Sequence, residues 1–215
     1  MEIVASPLFQ GLTKEEWGVL EQSGCLHRRT YPKHTVIFHA GERVHALGVV
    51  LRGTVHIENL DLWGSKSILS SISAGQAFAE TYALCGDVLM VDAAAAEECE
   101  VLFVNVAAFS GGVSGPVREK LLRNLLTVSM RKNLSLSQRI FCTTPKTVRG
   151  RLLTYFSAQA ARSGSLQFEI PFNRQQLADY LNLDRSALSK ELGKMRDEGL
   201  LEFEKNRFCL NEELE

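Results

Sequence analysis

The sequence predicts a mixed α+β chain, with a front half of short β-hairpins, one long helix, and a back end of short helices closed by a further hairpin. Three observations carry that prediction. From Tyr31 onward come short β-branched and alternating runs, "TVIFHAG", "HALGVVLRGTVHIENL", "SKSILSSISAGQAF" and "CEVLFVN", in which Gly41, Gly53, Gly64 and Gly75 recur at spacings of 12, 11 and 11 residues. After "SGGVSGP" (Ser110–Pro116) apolar residues recur at helical spacing from Val117 to Ile140. The chain then reads as two short capped helices followed by "LLEFEKNRFCL".

Taken in order, the first element is a short helix. Thr13 precedes Glu16 by three residues in a capping-box arrangement, and Trp17 and Leu20 follow on one face. In the β region each tight reversal needs a residue at positive φ, so evenly spaced turn glycines specify a sandwich or barrel of hairpins. Beyond the Gly/Ser/Pro punctuation, Val117, Leu121, Leu122, Leu125, Leu126, Val128, Leu134, Leu136 and Ile140 predict a helix of about two dozen residues. Its apolar stripe is broader than one seam. That breadth suits packing on its own β domain and on a second copy of itself, with a monomeric core helix as the alternative.

Composition narrows the class. At 215 residues and 45% hydrophobic content the chain can bury one large core or two modest ones. No apolar run approaches the roughly 20 residues of a membrane span, and "MEIVASPLFQGL" lacks the basic-then-apolar order of a signal peptide, so the expected address is the cytoplasm, with no membrane partner. The five cysteines (Cys25, Cys85, Cys99, Cys142, Cys209) are scattered without a C-x-x-C pair and read as reduced and structural, with a redox-sensing thiol at Cys85 or Cys99 as the alternative. Charge is uneven. Residues 1–116 carry 7 Lys+Arg against 13 Asp+Glu, whereas residues 117–215 carry 17 against 12. Residues 117–151 alone hold nine Lys/Arg and only Glu119 as an acid, which brings nucleic acid forward as a partner of the back half.

The tail "FEIPFNRQQLADYLNLDRSALSKELGKMRDEGLLEFEKNRFCL" carries the sharpest pattern. Asn173 caps a helix with Gln176 three residues on; Leu177, Tyr180 and Leu181 form its apolar face, and the small Ala178 lets a second helix cross closely. Asp184 caps the next helix, whose Leu188, Leu192 and Met195 point inward while Ser186, Ser189, Lys190, Gly193 and Lys194 fall on the other side. Gly199 stops it, and two short strands around Lys205–Asn206 form a wing. Two short helices joined by a brief turn, the second small, polar and basic on its outward face, make the helix-turn-helix arrangement that enters the DNA major groove. Arg185 and Lys190 have the reach and charge for guanine O6/N7, while Arg174 and Gln175 would touch phosphates.

With the glycine rhythm, the long helix and "RQQLADYLNLDRSALSKELGKMRDEGLL" in view, nearly the whole chain resembles the Crp/Fnr family of bacterial transcription regulators. The resemblance implies a cupin-like β-roll (a double-stranded β-helix of jelly-roll type) over residues 1–113, a dimerisation helix over 114–142 and a winged helix-turn-helix over 143–215. It implies a homodimer on a palindromic double-stranded DNA site, with RNA polymerase as a further partner. Base-reading positions fall on Arg185, Ser186, Ser189 and Lys190; phosphate contacts fall on Asn173, Arg174 and Gln175, with Lys205 added from the wing. A two-fold protein suits two half-sites one helical turn apart, which favours the dimer reading of the long helix.

In the cyclic-nucleotide branch of that family the phosphate is gripped by Gly-Glu and, about ten residues later, Arg-Ser. Here Ala79-Glu80 and Met90-Val91 stand at those places, and no Lys or Arg occurs between Lys66 and Arg118. A cyclic phosphate would lack its charge-assisted partner, so cyclic AMP is disfavoured. The oxygen-sensing branch uses an N-terminal cysteine cluster, and only Cys25 lies near this N-terminus. Haem on His39, His45, His56 or Cys85 is retained as a lesser alternative, and no cofactor is assigned. Phe78, Glu80, Tyr82, Leu84, Leu89 and Met90 are the expected lining of a site for an apolar or aromatic effector. The competing class is a cupin-type metal enzyme, which the absence of a His-x-His pair disfavours; no catalytic residues are assigned.

Overall fold

The computed structural model describes residues 4–60 and 66–211, so Gly64, one of the four rhythm glycines, lies outside the described residues. The chain divides into two compact units, residues 1–129 and 130–215.

The first unit begins with a 3-10 turn at Pro7–Phe9 and α1 (Lys14–Gln22), whose start is the expected capping box: the Thr13 amide donates to Glu16 Oε2 at 2.8 Å and the Glu16 amide to Thr13 Oγ1 at 3.2 Å. Strands β1 (Leu26–Tyr31), β2 (Val36–Phe38), β3 (Ala46–Arg52), β4 (Thr54–Leu60), β5 (Lys66–Ser73) and β6 (Ala77–Phe78) precede α2 (Glu80–Cys85). Then follow β7 (Asp92–Ala95), β8 (Cys99–Asn105), the short α3 (Ala107–Ser110) and α4 (Gly115–Thr143). The strands form two antiparallel sheets, ordered β1-β8-β3-β6 and β2-β7-β4-β5. This is the cupin-like β-roll. Gly41, Gly53 and Gly75 all have φ between 83° and 88°, and at Gly53 an added Cβ would also meet the Glu98 carbonyl at 2.6 Å, so glycine is required there twice over.

Alternation in "CEVLFVN" explains how β8 serves two cores. Cys99, Val101 and Phe103 face the interior of the roll with Val50, Val55, Ile72 and Phe78. Leu102 and Val104 face the other way, against Leu8, Phe9, Trp17 and Leu20 of the N-terminal segment and Val117, Leu121 and Leu125 of α4. Polar ties fix the start of α4: Lys120 donates to Glu16 Oε2 (2.7 Å) and to the Gly11 carbonyl (3.1 Å), and Asn124 donates to the Leu8 and Gln10 carbonyls (3.0 and 2.8 Å).

Besides the end of α4, the second unit contains α5 (Val148–Ser163), β9 (Gln167–Glu169), α6 (Arg174–Tyr180), α7 (Arg185–Asp197), β10 (Leu201–Glu204) and β11 (Arg207–Leu210). Leu152 and Phe156 of α5, Leu177, Ala178 and Leu181 at α6, Leu188, Leu192 and Met195 of α7, and Phe208 of the wing share one core. All three inward α7 residues foreseen in the sequence are fully buried. The wing hairpin turns at Lys205, in left-handed conformation with φ 53°, and gains a third strand, β9, on β11. At 29 residues α4 is longer than the expected two dozen, because Cys142 continues its last turn into the core of this unit.

Candidate functional site

On α7 the burial pattern separates two faces. Leu188, Leu192 and Met195 are sealed inward, while Arg185, Ser186, Ser189, Lys190 and Lys194 are exposed. Asp184 produces the entry: its Oδ1 accepts from the Ser186 and Ala187 amides, each at 2.9 Å, and from the Ser186 hydroxyl in a short hydrogen bond. Those bonds, led by the Ser186 hydroxyl, hold the Asp184 carboxyl below its ordinary value, so it stays ionised at a helix N-terminus. Ser186, a candidate base contact, is thereby also part of the cap. Gly199, at φ 74°, ends the helix as expected.

Among the candidate phosphate contacts, Asn173 caps α6: its Oδ1 accepts from the Gln176 amide, and Gln176 Oε1 accepts from the Asn173 amide, both at 2.9 Å. Gln175 donates to Asp179 Oδ1 one turn on (2.8 Å). Arg174 is half-buried, its guanidinium over the rings of Phe203 (4.7 Å) and Phe208 (5.1 Å), and that burial lowers its pKa from the usual arginine value. It therefore joins the first helix to the wing as well as presenting a cation. Lys205 is exposed at the wing turn.

Residues that sequence reasoning missed fix this assembly from behind. Arg149 of α5 makes a two-pronged bond to Glu198 (2.7 and 2.8 Å) and a third to Glu191 (2.6 Å), both on α7. These partners, Glu198 first, raise the Arg149 pKa and lower that of Glu198. Arg139 and Arg151 converge on the turn between α6 and α7. All three lie 30 or more residues from a partner in sequence, so only the surplus of arginine in residues 117–151 signalled them.

In the β-roll, the six candidate effector residues part company. Phe78 and Leu89 are buried, and Tyr82 is half-buried against the small cluster of Val44, Ala83 and Leu89. Glu80, 5% exposed, opens α2 behind Ala79, which takes the left-handed conformation at φ 60°. Leu84 and Met90 turn outward, at 42% and 77% exposure. Phe78 lies on β6 directly across from Gly48 and closes on Phe38 at 5.9 Å; Phe38 in turn meets Phe103 at 5.5 Å. One cation reaches the cassette loop from outside it: Arg43 donates to the Gly86 carbonyl and pairs with Val88 as an isolated bridge. Among the described residues no group of His, Cys, Asp and Glu is arranged to hold a metal ion. Burial raises the thiol pKa of Cys99 and Cys142, which makes both poor nucleophiles.

A cupin-like β-roll, a long helix and a winged helix-turn-helix in one chain define a sensor-and-reader class of protein. Two domain families match the sequence, the cyclic nucleotide-binding domain over residues 28–112 and the Crp-like helix-turn-helix domain over residues 150–213. The chain belongs to the Crp/Fnr family of transcription regulators. A curated relative, the cyclic AMP receptor protein of Thermus thermophilus, is 33% identical over 97 residues, which span 45% of this chain and 44% of that protein. The solved Thermus thermophilus catabolite activator protein is 26% identical, with 97% of this chain and 95% of that one covered at a TM-score of 0.52. Similarity of fold alone extends to CprK complexed with OCPA, 12% identical at a TM-score of 0.67 over 90% and 88% of the two chains.

Proposed function

We propose that this chain is a non-enzymatic, homodimeric transcription regulator that reads a palindromic DNA site and is controlled by a small effector other than cyclic AMP. The observation that carries the proposal is the two-faced α7, with Leu188, Leu192 and Met195 sealed and Arg185, Ser186, Ser189 and Lys190 presented outward. That face has the size and charge for the major groove, and Asn173, Arg174, Gln175 and Lys205 flank it as phosphate contacts. Exposed Leu122, Leu126, Met130, Leu134, Leu136 and Ile140 on α4 support the dimer, since solvated apolar side chains in this number call for a partner. We assign sensing to residues 1–113, dimerisation to 114–142 and DNA reading to 143–215, in a cytoplasmic protein that works with RNA polymerase.

For the effector, the cassette's own arginine position holds Met90, and Arg43 at its rim is bonded to the Gly86 carbonyl. Phe78, Tyr82 and Leu89 offer apolar surface and Glu80 a polar fixture, which suits an apolar or aromatic molecule; Leu84 and Met90 lie at the outer edge.

The test is DNA selection on the full chain, followed by anisotropy on the selected duplex with and without a metabolite panel. A two-fold symmetric consensus is expected. Lys190→Ala should weaken the selected site by about tenfold or more with little change on random DNA, whereas Arg174→Ala weakens both. Equal losses on both duplexes for Lys190→Ala would remove its base-reading role.

A further inference from the structure

The turn between α6 and α7 has an unusual anchor. Four consecutive backbone carbonyls, of Asp179, Tyr180, Leu181 and Asn182, each accept a hydrogen bond from an arginine belonging to another helix. Arg139 of α4 supplies the first pair: Nε to the Tyr180 carbonyl and Nη2 to the Asp179 carbonyl, both at 3.1 Å, with a third bond from Nη2 to Asn182 Oδ1 at 3.1 Å. Its guanidinium also lies 5.9 Å from the centre of the Tyr180 ring. Arg151 of α5 supplies the second pair through Nη1, to Leu181 (2.9 Å) and Asn182 (2.8 Å), and holds the Pro145 carbonyl through Nε at 2.8 Å. A helix leaves its last carbonyls without intrahelical partners and accumulates negative potential there, so two cations at this end satisfy both demands.

The two arginines differ in what else their helices do. Arg151 ties the turn to α5, inside the same core. Arg139 sits beside Ile140, 66% exposed, and three residues from Leu136, 61% exposed. The helical turn that offers an apolar surface outward therefore also grips the Asp179 and Tyr180 carbonyls and the side chain of Asn182, two residues before Asp184, the cap of α7. Asn182 takes the left-handed conformation at φ 51°, so the direction in which α7 leaves the turn depends on an Asn held by that grip.

We propose that Arg139 is a positioning residue that sets where the recognition helix stands relative to the dimer helix, and so the spacing of the two recognition helices in the dimer. This rests on the dimeric DNA-reader function proposed above. A second copy seated on Leu136 and Ile140 fixes the rotation of α4 about its axis, and Arg139 passes that rotation to the α6–α7 turn. Arg151 stabilises the turn but carries no information from α4.

The experiment compares binding of the full-length protein to two duplexes of equal length, the selected palindrome and the same sequence with one half-site scrambled. Arg139→Ala is expected to leave half-site affinity within about twofold and to lower the preference for the palindrome by about tenfold, with dimer mass unchanged by light scattering. Arg139→Lys, which keeps the cation without the planar fork, should regain part of the preference, and it carries the test should Arg139→Ala fail to fold by circular dichroism. Arg151→Ala is expected to weaken both duplexes alike. Equal losses on both duplexes for the Arg139 variants would reduce Arg139 to a local helix cap and overturn the proposal, as would an unchanged preference. A wild-type protein with no preference for the palindrome removes the dimeric-reader function itself, and this inference with it.

Discussion

Gly48 faces the interior of the β-roll on β3, between Phe78 of β6 on one side and Phe103 of β8 on the other. A methyl group built there would stand 2.3 Å from Phe78 Cζ and 2.4 Å from Cε1, against an ordinary carbon–carbon contact of about 3.5–4.0 Å. The ring must therefore move by more than about 1 Å, and it is 2% exposed with Phe38 packed beside it. Overpacking of that kind costs roughly 1–3 kcal/mol, or about 3–5 °C in Tm per kcal/mol for a unit of this size. The Phe78→Leu background isolates the cause, because leucine lacks the two atoms that clash and keeps only δ carbons, for which the corresponding approach is 3.1 Å. In that background Gly48→Ala is expected to cost less than about 0.5 kcal/mol, giving a coupling energy on the order of 1–2 kcal/mol. Urea unfolding followed by tryptophan fluorescence reads the right unit, since Trp17 is buried in its core and residues 130–215 contain no tryptophan. If Gly48→Ala costs the same in both backgrounds, Phe78 does not fill the space over Gly48 and the account of a ring-filled roll is wrong.

Three further outcomes follow from the second unit and its helices. Glu198, with Arg149 as the leading cause, has its pKa depressed below the ordinary 4.5. The unfolded chain then binds more protons in that range, so this contribution is full above about pH 4.5 and is lost as pH falls through the folded value; Glu198→Gln should flatten the fall of Tm as pH drops below about 4.5, and an unchanged slope counts against the Arg149 clamp. Asn173→Ala removes the side-chain half of a capping box, the acceptor for the Gln176 amide, and should cost about 1 kcal/mol by chemical denaturation, with no measurable cost refuting the cap. Ile140→Glu places a charge on the exposed apolar surface of α4 and should shift sedimentation from dimer toward monomer at micromolar protein while leaving the far-ultraviolet circular dichroism intact; a dimer as tight as wild type would move the interface elsewhere.

Legibility in the sequence followed the range of the interactions. Caps at Thr13, Asn173 and Asp184 were readable because donor and acceptor lie two or three residues apart. The turn glycines and the inward trio on α7 were readable because φ preference and helical period act locally. Strand β9 was not, since three residues show no period and exist as a strand only through pairing with β11. Nor were Arg139, Arg149 and Arg151, whose partners on α7 and the α6–α7 turn are 30 to 49 residues away. In the cassette, counting cations within one stretch overlooked Arg43, brought in from another loop, and composition gave Leu84, Leu89 and Met90 alike although only Leu89 turns inward.

The filled roll bears directly on the chemistry of the proposed effector. Phe78 and Phe103 come from one sheet and Phe38 from the other, so the rings close the interior from both sides, with Gly48 as the space that admits them. A molecule entering there must displace at least one ring, and exposing a buried phenylalanine costs roughly 1.5–3 kcal/mol. An apolar or aromatic ligand recovers that cost by burying its own surface against the ring-lined walls. An anion brings the reverse, because its own desolvation adds to the cost of displacing the ring and Met90 stands where a cation would have to offset it. The same residues that make the core stable without a ligand are therefore the physical basis for proposing an apolar or aromatic effector over a phosphate.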